Sequence, residues 1–193
     1  MKKHRDSSLI TRSALWCCCV VACSSFLTAQ NSALDVAQGS CRIFVQQFYD
    51  WYLPNTHIKA EKANGPALDF ALKSKRSAFD SELVRQLEQG KEQAKRDEEP
   101  FLDFDPVLNS QDPADKYIAE ETTVNDGHCS ASVYGVRPQQ KSDKPDVVAK
   151  LVHTNQGWQF EDFLYLNAES PDNNKSLRRM LRFLLKGELN SSH

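Results

Sequence analysis

The sequence lacks the patterns that mark several classes of protein. No run of basic residues is interleaved with aromatic ones, and the net charge at pH 7 is −2, so we expect no nucleic-acid partner. GxSxG, P-loop and dinucleotide-binding glycine motifs are missing, which leaves a serine or cysteine nucleophile without support. The histidines are scattered and show no HExxH spacing. We therefore predict no cofactor and no motif-based metal site.

Residues 1–29 have the three parts of a bacterial secretion signal: a basic start, an apolar run over residues 14–27, and small residues at the end. Four basic residues and one acidic residue in this segment leave a net charge of −5 on the rest of the chain. The apolar run is too short for a stable membrane span, which takes roughly 20 residues, and no second run approaches that length. We expect an exported, periplasmic protein; the alternative is a buried helix of a cytosolic protein.

Two processing routes compete at the end of this segment. Val20, Val21 and Ala22 before Cys23 resemble a lipobox, in which Cys23 is acylated and becomes the first mature residue. Ordinary signal peptidase would instead cut after Ala29. Phe26 and Leu27 extend the apolar run past Cys23, whereas Leu27 is large for its place three residues before the second cut. A lipid on Cys23 is the one membrane contact that we expect, and it would anchor the protein at the outer membrane.

Removal of the signal leaves two of the six cysteines, Cys41 and Cys129, unless Cys23 is retained with its lipid. An exported domain meets an oxidising compartment, in which such a pair can form a disulfide. Bridging requires Cα atoms within about 7 Å of each other. The alternative is two buried, inert thiols, as free cysteines often are.

An aromatic-rich stretch at residues 41–54, CRIFVQQFYDWYLP, organises the mature chain. Its large apolar side chains recur at helical spacing, with polar ones opposite, so it predicts an amphipathic helix that Ser40 caps and Pro54 ends. The stripe consists of Cys41, Phe44, Val45, Phe48, Trp51 and Tyr52. So much apolar area cannot stay in water, and we expect a sheet to cover it.

The second half of the chain predicts that sheet, followed by a helix that begins at Ser176. Four strands are expected at residues 117–124, 128–137, 146–153 and 158–166, joined in pairs by turns at 125–127 and 155–157. Together with helices before residue 100, they predict an α+β fold in which N-terminal helices pack on an antiparallel sheet of about four strands. We expect residues 30–39 to be a flexible lead, 40–187 a single domain and 188–193 a disordered tail.

The last predicted strand has aromatic side chains on both parities. Trp158 and Phe160 share one parity, and Phe163 and Tyr165 share the other. If all four point inward, one extra residue is inserted near residues 161–162 as a β-bulge, which bends the strand. The alternative is a central strand with aromatics on both faces.

The connector between the helical and strand halves, residues 101–115, holds the best candidate polar cluster. Asp103 and Asp105 would share one side of an extended stretch and act as an acid–base pair, and with Asp112 they would offer oxygen ligands to calcium. The third interpretation is that these aspartates cap turns beside the prolines. A ligand pocket would instead be lined by aromatic and neighbouring polar side chains, namely Trp51, Tyr52, Gln111, Asp112, Trp158 and Tyr165.

Three segments resemble a known family: FVQQFYDWYL at 44–53, LDFDPVLNSQDP at 102–113 and GWQFEDFLYL at 157–166. They resemble exported bacterial domains of unknown function within the nuclear transport factor 2-like superfamily. The resemblance implies a cone-like fold, with a curved antiparallel sheet wrapped around helices. It brings no catalytic residues, and extending the isomerase or dehydratase activity of some cone-fold relatives to this chain would rest on fold analogy alone.

These observations favour a non-catalytic binding or interaction module of the cell envelope. Its partner would be a small molecule or another envelope protein. One alternative is a small-molecule enzyme that uses Asp103 or Asp105 as its acid–base residue, and another is a calcium-stabilised structural module. The connector is decisive, because it either opens onto a cavity or seals one.

Overall fold

The computed structural model describes residues 18–56, 67–138, 140–166 and 176–186. It divides into two compact units, Met1–Val36 and Ala37–His193. The first 17 residues of the expected signal segment and the expected tail at 188–193 lie outside the described residues. Within the residues described, none of the helices combines the length and apolar character needed to cross a bilayer.

The described elements form an α+β fold, as predicted. The helices are α1 Cys18–Thr56, α2 Ala67–Ser74, α3 Ser81–Asp97 and α4 Leu177–Lys186, with a 3₁₀ turn at Arg76–Ala78. The strands are β1 Lys116–Asn125, β2 His128–Arg137, β3 Gln140–Lys141, β4 Val147–Thr154 and β5 Gly157–Leu164. They build one antiparallel sheet in the order β1-β2-β4-β5, and the short β3 pairs with the end of β2.

Helix α1 is longer than the sequence predicts. Residues 30–39, the expected flexible lead, are helical, because they contain no proline and each residue added to a helix gains a hydrogen bond. The prediction that Ser40 caps the helix was wrong: Ser40 lies inside it and donates a hydrogen bond to the Ala37 carbonyl, 2.9 Å away. Pro54 does not end the helix either, which continues to Thr56. Its missing N–H affects only the last turn.

The aromatic stripe of α1 packs on the sheet, as predicted. Cys41, Val45 and Tyr52 are fully buried. The ring of Phe48 lies 4.6 Å, centroid to centroid, from that of Phe160 on β5 and meets it edge to face. Aromatic pairs in this geometry stabilise a core beyond the area that they bury. The contact between this stripe and the strands is therefore the centre of the hydrophobic core.

A bulge in β5 allows its aromatics to share one face. Lys150 pairs with Asp162 and Leu151 pairs with Phe160, so Glu161 is one extra residue on β5. The aromatic side chains on either side of it are all buried, namely Trp158, Phe160, Phe163 and Tyr165. The predicted bulge is thus confirmed. A second bulge, which the sequence pattern does not predict, lies in β1 between Ala119 and Thr122. Each of the two bulges bends the sheet.

The β5 bulge also connects the sheet to the last helix. Asp162, next to the extra residue, accepts a hydrogen bond at 2.9 Å from the backbone N–H of Arg178 at the start of α4, and another from the hydroxyl of Ser176. The Arg178 guanidinium in turn donates to Asp80 at 2.8 Å. Asp80 caps α3 by accepting from the Leu83 N–H. One carboxylate at the bulge therefore holds α4 in place, and α4 contacts the start of α3.

The predicted turn between β1 and β2 is confirmed. Asp126 and Gly127 connect the strands and have φ angles of 47° and 76°. Positive φ at two consecutive central residues is the geometry that Asp-Gly favours in a two-residue hairpin.

Gln46 on α1 occupies the outer edge of β1. Its amide oxygen accepts from the Ala119 N–H at 2.8 Å, and its amide nitrogen donates to the Tyr117 carbonyl at 3.1 Å. The side chain thereby pairs two backbone groups that an edge strand would otherwise present to solvent. It also fixes the position of Tyr117, which bears on the site described below.

Cys41 and Cys129 form a disulfide between α1 and β2. Their Cα atoms are 6.7 Å apart and the cysteines are separated by 88 positions in sequence. Both are buried, at 0% and 1% exposure. The bridge joins the aromatic stripe covalently to the strand that it covers, so the alternative of two free, inert thiols does not describe the structure.

Replacing both cysteines, as in the C41A/C129A variant, is expected to lower the free energy of unfolding by about 4 kcal/mol, because a bridge across 88 positions removes much entropy from the unfolded chain. Urea unfolding of the oxidised protein and of the variant measures the difference. The wild-type protein in reductant is the matched control and should unfold with the variant. A difference below about 1 kcal/mol would show that the bridge contributes little to stability.

Candidate functional site at the connector

The connector between α3 and β1 folds into a tight turn around Asp105. One carboxylate oxygen of Asp105 accepts hydrogen bonds from the N–H groups of Val107 at 2.8 Å and Leu108 at 3.2 Å. The Asp105 N–H donates to the Ser110 carbonyl at 3.0 Å and closes the turn. Val107 and Leu108 are fully buried beneath it. This is the turn-capping use of aspartate that the prolines in the connector suggest.

Three buried tyrosines hold the inner face of the connector. The hydroxyl of Tyr52 donates to the second carboxylate oxygen of Asp105 at 2.8 Å. Tyr165 donates to the Pro106 carbonyl at 2.9 Å, and Tyr49 donates to the Val107 carbonyl at 2.7 Å. We call these side chains the tyrosine triad, Tyr49, Tyr52 and Tyr165. Because α1 supplies two of them and the residue after β5 supplies the third, the connector is fixed to both halves of the fold.

The environment keeps the tyrosine triad protonated. Burial raises the pKa of Tyr49, Tyr52 and Tyr165 well above the ordinary value for a phenol, and the Asp105 carboxylate adds to the effect on Tyr49 and Tyr52. Each phenol therefore remains a hydrogen-bond donor to the connector. The inner face of the connector is therefore packed on the core and hydrogen-bonded to it.

The candidate ligand-binding residues are not gathered into one pocket. Tyr52 and Tyr165 belong to the triad, and Trp158 is buried with its indole N–H donating to Ser40 at 3.0 Å. Trp51 is half-buried, and its ring stacks on that of Phe70 with 6.1 Å between centroids. Gln111 and Asp112 are exposed on the connector. Most of these large aromatic side chains therefore pack in the core.

The three candidate carboxylates likewise have different surroundings and do not act as one cluster. Asp103 is exposed, whereas Asp105 is engaged by backbone amides and by Tyr52. Asp112 pairs with Arg137, with 3.2 Å between guanidinium nitrogen and carboxylate oxygen. In the part of the chain that the structure describes, no group of three or more histidine, cysteine, aspartate or glutamate side chains is placed to hold a metal ion. The geometry favours a positioning role for Asp105.

The outer face of the connector borders a cleft of about 240 Å³, which we call the connector cleft. The connector supplies Asn109, Ser110 and Ala114 to its wall. Strands β1 and β2 and the link between β3 and β4 line the other side of the cleft. They supply Tyr117, Gly135, Arg137, Ser142 and Asp146. The connector therefore packs on the core through its buried residues and borders a cavity with Asn109, Ser110 and Ala114.

Asp146 forms one side of the connector cleft. One of its carboxylate oxygens accepts from the Gly135 N–H at 2.6 Å, and its backbone carbonyl accepts from the side-chain amide of Asn109 at 3.0 Å. A Cβ atom at Gly135 would lie 3.0 Å from that carboxylate oxygen and 3.0 Å from the Cβ of Ala114. Because Gly135 has no side chain, the Asp146 carboxylate and Ala114 can approach β2 closely at this point.

Tyr117 forms the floor of the cleft and is 3% exposed. Its hydroxyl oxygen accepts from the Ala114 N–H at 3.2 Å, and among the described residues the hydroxyl donates no hydrogen bond of its own. Burial raises the pKa of Tyr117 to about 12, and the neighbouring Asp146 adds to the shift. The phenol is therefore a neutral donor at the bottom of a polar cleft.

A larger cleft of about 640 Å³ lies between the start of α3 and the turn that joins β4 to β5. Several of its polar groups already have partners. Arg76 donates to Glu88 at 2.6 Å and 3.3 Å, and Gln159 donates to the Ser77 carbonyl at 3.1 Å. The connector cleft is the stronger candidate because it combines opposite charges with a buried donor.

The sequence pattern does not mark Tyr117, Gly135, Arg137 or Asp146 as site residues. A signal was present for Gly135, since a glycine inside a strand marks a close approach of other groups. The other residues come from separate segments, and only the sheet pairing brings them together.

The Y52F variant is expected to lower the free energy of unfolding by about 1–2 kcal/mol, because it removes a buried hydrogen bond to a carboxylate. The matched control is Y134F, which removes the same kind of bond, to Glu121 at 2.9 Å, from an exposed site. That variant should change stability by about 0.5 kcal/mol or less. Urea unfolding measures each variant, and equal losses in the two would contradict a special role for the triad.

No protein-family model matches the chain, and no curated protein or solved structure matches it either. What the protein binds is therefore inferred from its own residues.

Proposed function

We propose that this chain is an exported, non-catalytic binding module of the cell envelope that takes a small polar molecule into the connector cleft. One observation carries the proposal: the connector is fixed rigidly from inside by the tyrosine triad and Asp105 while its outer face lines an open polar cleft. A preformed wall and a few convergent polar groups are the features that fix the orientation of a small ligand.

Export is supported by two independent features. Residues 1–29 have the pattern of a secretion signal. The Cys41–Cys129 disulfide is a bond that persists in oxidising compartments and is rare in the cytosol. Cleavage after Ala29 would place the protein in the periplasm, whereas acylation of Cys23 would anchor it at the outer membrane.

Membership of the nuclear transport factor 2-like superfamily remains part of this proposal. The order of elements, helices before a bulged antiparallel sheet, supports it. The two alternatives have less support. An acid–base role asks for a carboxylate in a pocket, yet Asp103 is exposed and Asp105 holds a turn. A calcium module would require Asp103, Asp105 and Asp112 to converge on one ion.

The proposed function predicts that ¹⁵N-labelled, disulfide-bonded protein responds to the dialysable fraction of a bacterial envelope extract at the connector cleft. The backbone amides of Gly135 and Asp146 should shift saturably as the extract is added, because both line the cleft. The S142W variant should abolish the shifts by filling the cleft.

S81W is the matched control, since Ser81 lines the larger cleft and a tryptophan there leaves the connector cleft open. Retention of the shifts in S142W, or shifts confined to the larger cleft, would contradict the proposed site. Near-UV circular dichroism of each variant confirms that the fold is intact.

A further inference from the structure

The connector cleft carries two opposite charges. Arg137, near the end of β2, contributes a guanidinium, and Asp146, just before β4, contributes a carboxylate. Each is only partly engaged by the protein. Gly135 N–H occupies one Asp146 oxygen, and a carboxylate has about four lone-pair sites, so acceptor capacity remains.

Arg137 is held by a partner that a ligand can replace. Its guanidinium donates to the Asp112 carbonyl at 2.8 Å and lies 3.2 Å from the Asp112 carboxylate. The Asp112 side chain is 89% exposed and that of Arg137 is 54% exposed. Ion pairs as exposed as this contribute little free energy, so a better-placed carboxylate can take the place of Asp112.

Tyr117 adds a donor at the floor. Its phenol accepts from the Ala114 N–H, which leaves its own proton for an acceptor in the cleft. A guanidinium and a neutral hydroxyl together suit a carboxylate, because both donate hydrogen bonds to its oxygens.

The size of the cleft limits what can fill it. The cleft volume of about 240 Å³ is below the roughly 300–1,000 Å³ of pockets for drug-sized ligands, so a ligand enclosed by it would be a smaller molecule. A lone anion of that size would meet the charge of Asp146, and a lone cation would meet that of Arg137. A molecule that carries both charges satisfies both side chains.

We propose that the connector cleft binds a small zwitterion of the α-amino acid class. The ligand carboxylate lies between the Arg137 guanidinium and the Tyr117 hydroxyl, and its ammonium group lies against the Asp146 carboxylate. This inference rests on the proposed function and names the ligand class for the same site.

The test uses disulfide-bonded protein and four probes, followed through the amides of Gly135 and Ser142. Glycine and L-alanine carry both charges, acetate carries only the carboxylate, and ethylamine carries only the ammonium. Glycine and L-alanine should bind saturably, with a Kd at least about tenfold below that of either single-charge probe. This comparison of probes needs no variant and so does not depend on the folding of one.

Variants then assign the charges. R137M and D146N should each weaken glycine binding by about tenfold or more, and D146N should leave acetate binding unchanged or stronger. The matched controls are R96M and D97N on α3, which remove the same charges from exposed positions away from the cleft. They should leave the Kd for glycine unchanged.

Each outcome decides a different claim. Acetate or ethylamine binding as tightly as glycine would overturn the zwitterion and leave the proposed function standing. Shifts at the cleft with the envelope extract but with none of the four probes would also overturn the ligand class alone. If neither extract nor probes shift the cleft amides, both the ligand class and the proposed function fall.

Discussion

The contact between the aromatic stripe of α1 and the bent sheet is the constraint on which the rest of the structure depends. Phe48 and Phe160 meet at its centre, and the Cys41–Cys129 disulfide fastens the same helix to β2. Large apolar side chains on a single helix must be covered, and a flat sheet with aromatics on alternating faces would cover only part of them. The extra residue Glu161 solves this, because it turns the aromatics on both sides of it toward the helix.

The connector depends on that contact in turn. Packing α1 and β5 together brings the hydroxyls of Tyr49, Tyr52 and Tyr165 to one short segment, where they meet backbone carbonyls and Asp105. A polar segment inside a core is tolerated only when its groups are paired, and here they are. The connector is thereby made rigid, and its outer face becomes a fixed wall of the connector cleft. Packing in the core thus prepares a site on the surface.

Local features of the sequence predicted much of this fold but little of the site. Helical spacing identified the stripe around Phe48, Asp-Gly identified the turn at Asp126, and the parity of aromatics in the last strand identified the bulge. The ends of α1 were predicted wrongly, because the helix begins before Ser40 and continues beyond Pro54. Backbone hydrogen bonding within the helix favours this extension over the local capping and proline signals. The cleft was missed for a different reason. Its charged residues lie far apart in sequence and meet only through strand pairing.

The most direct measurement is an intact mass and non-reducing peptide map of the protein recovered from cells that make it. The mass shows where the N-terminal segment is cleaved, and the peptide map shows whether Cys41 and Cys129 are linked. A chain that starts at Gln30, or at an acylated Cys23, with the peptides of Cys41 and Cys129 linked, is the predicted result. A full-length chain starting at Met1 with both thiols free would contradict an exported domain built around that contact.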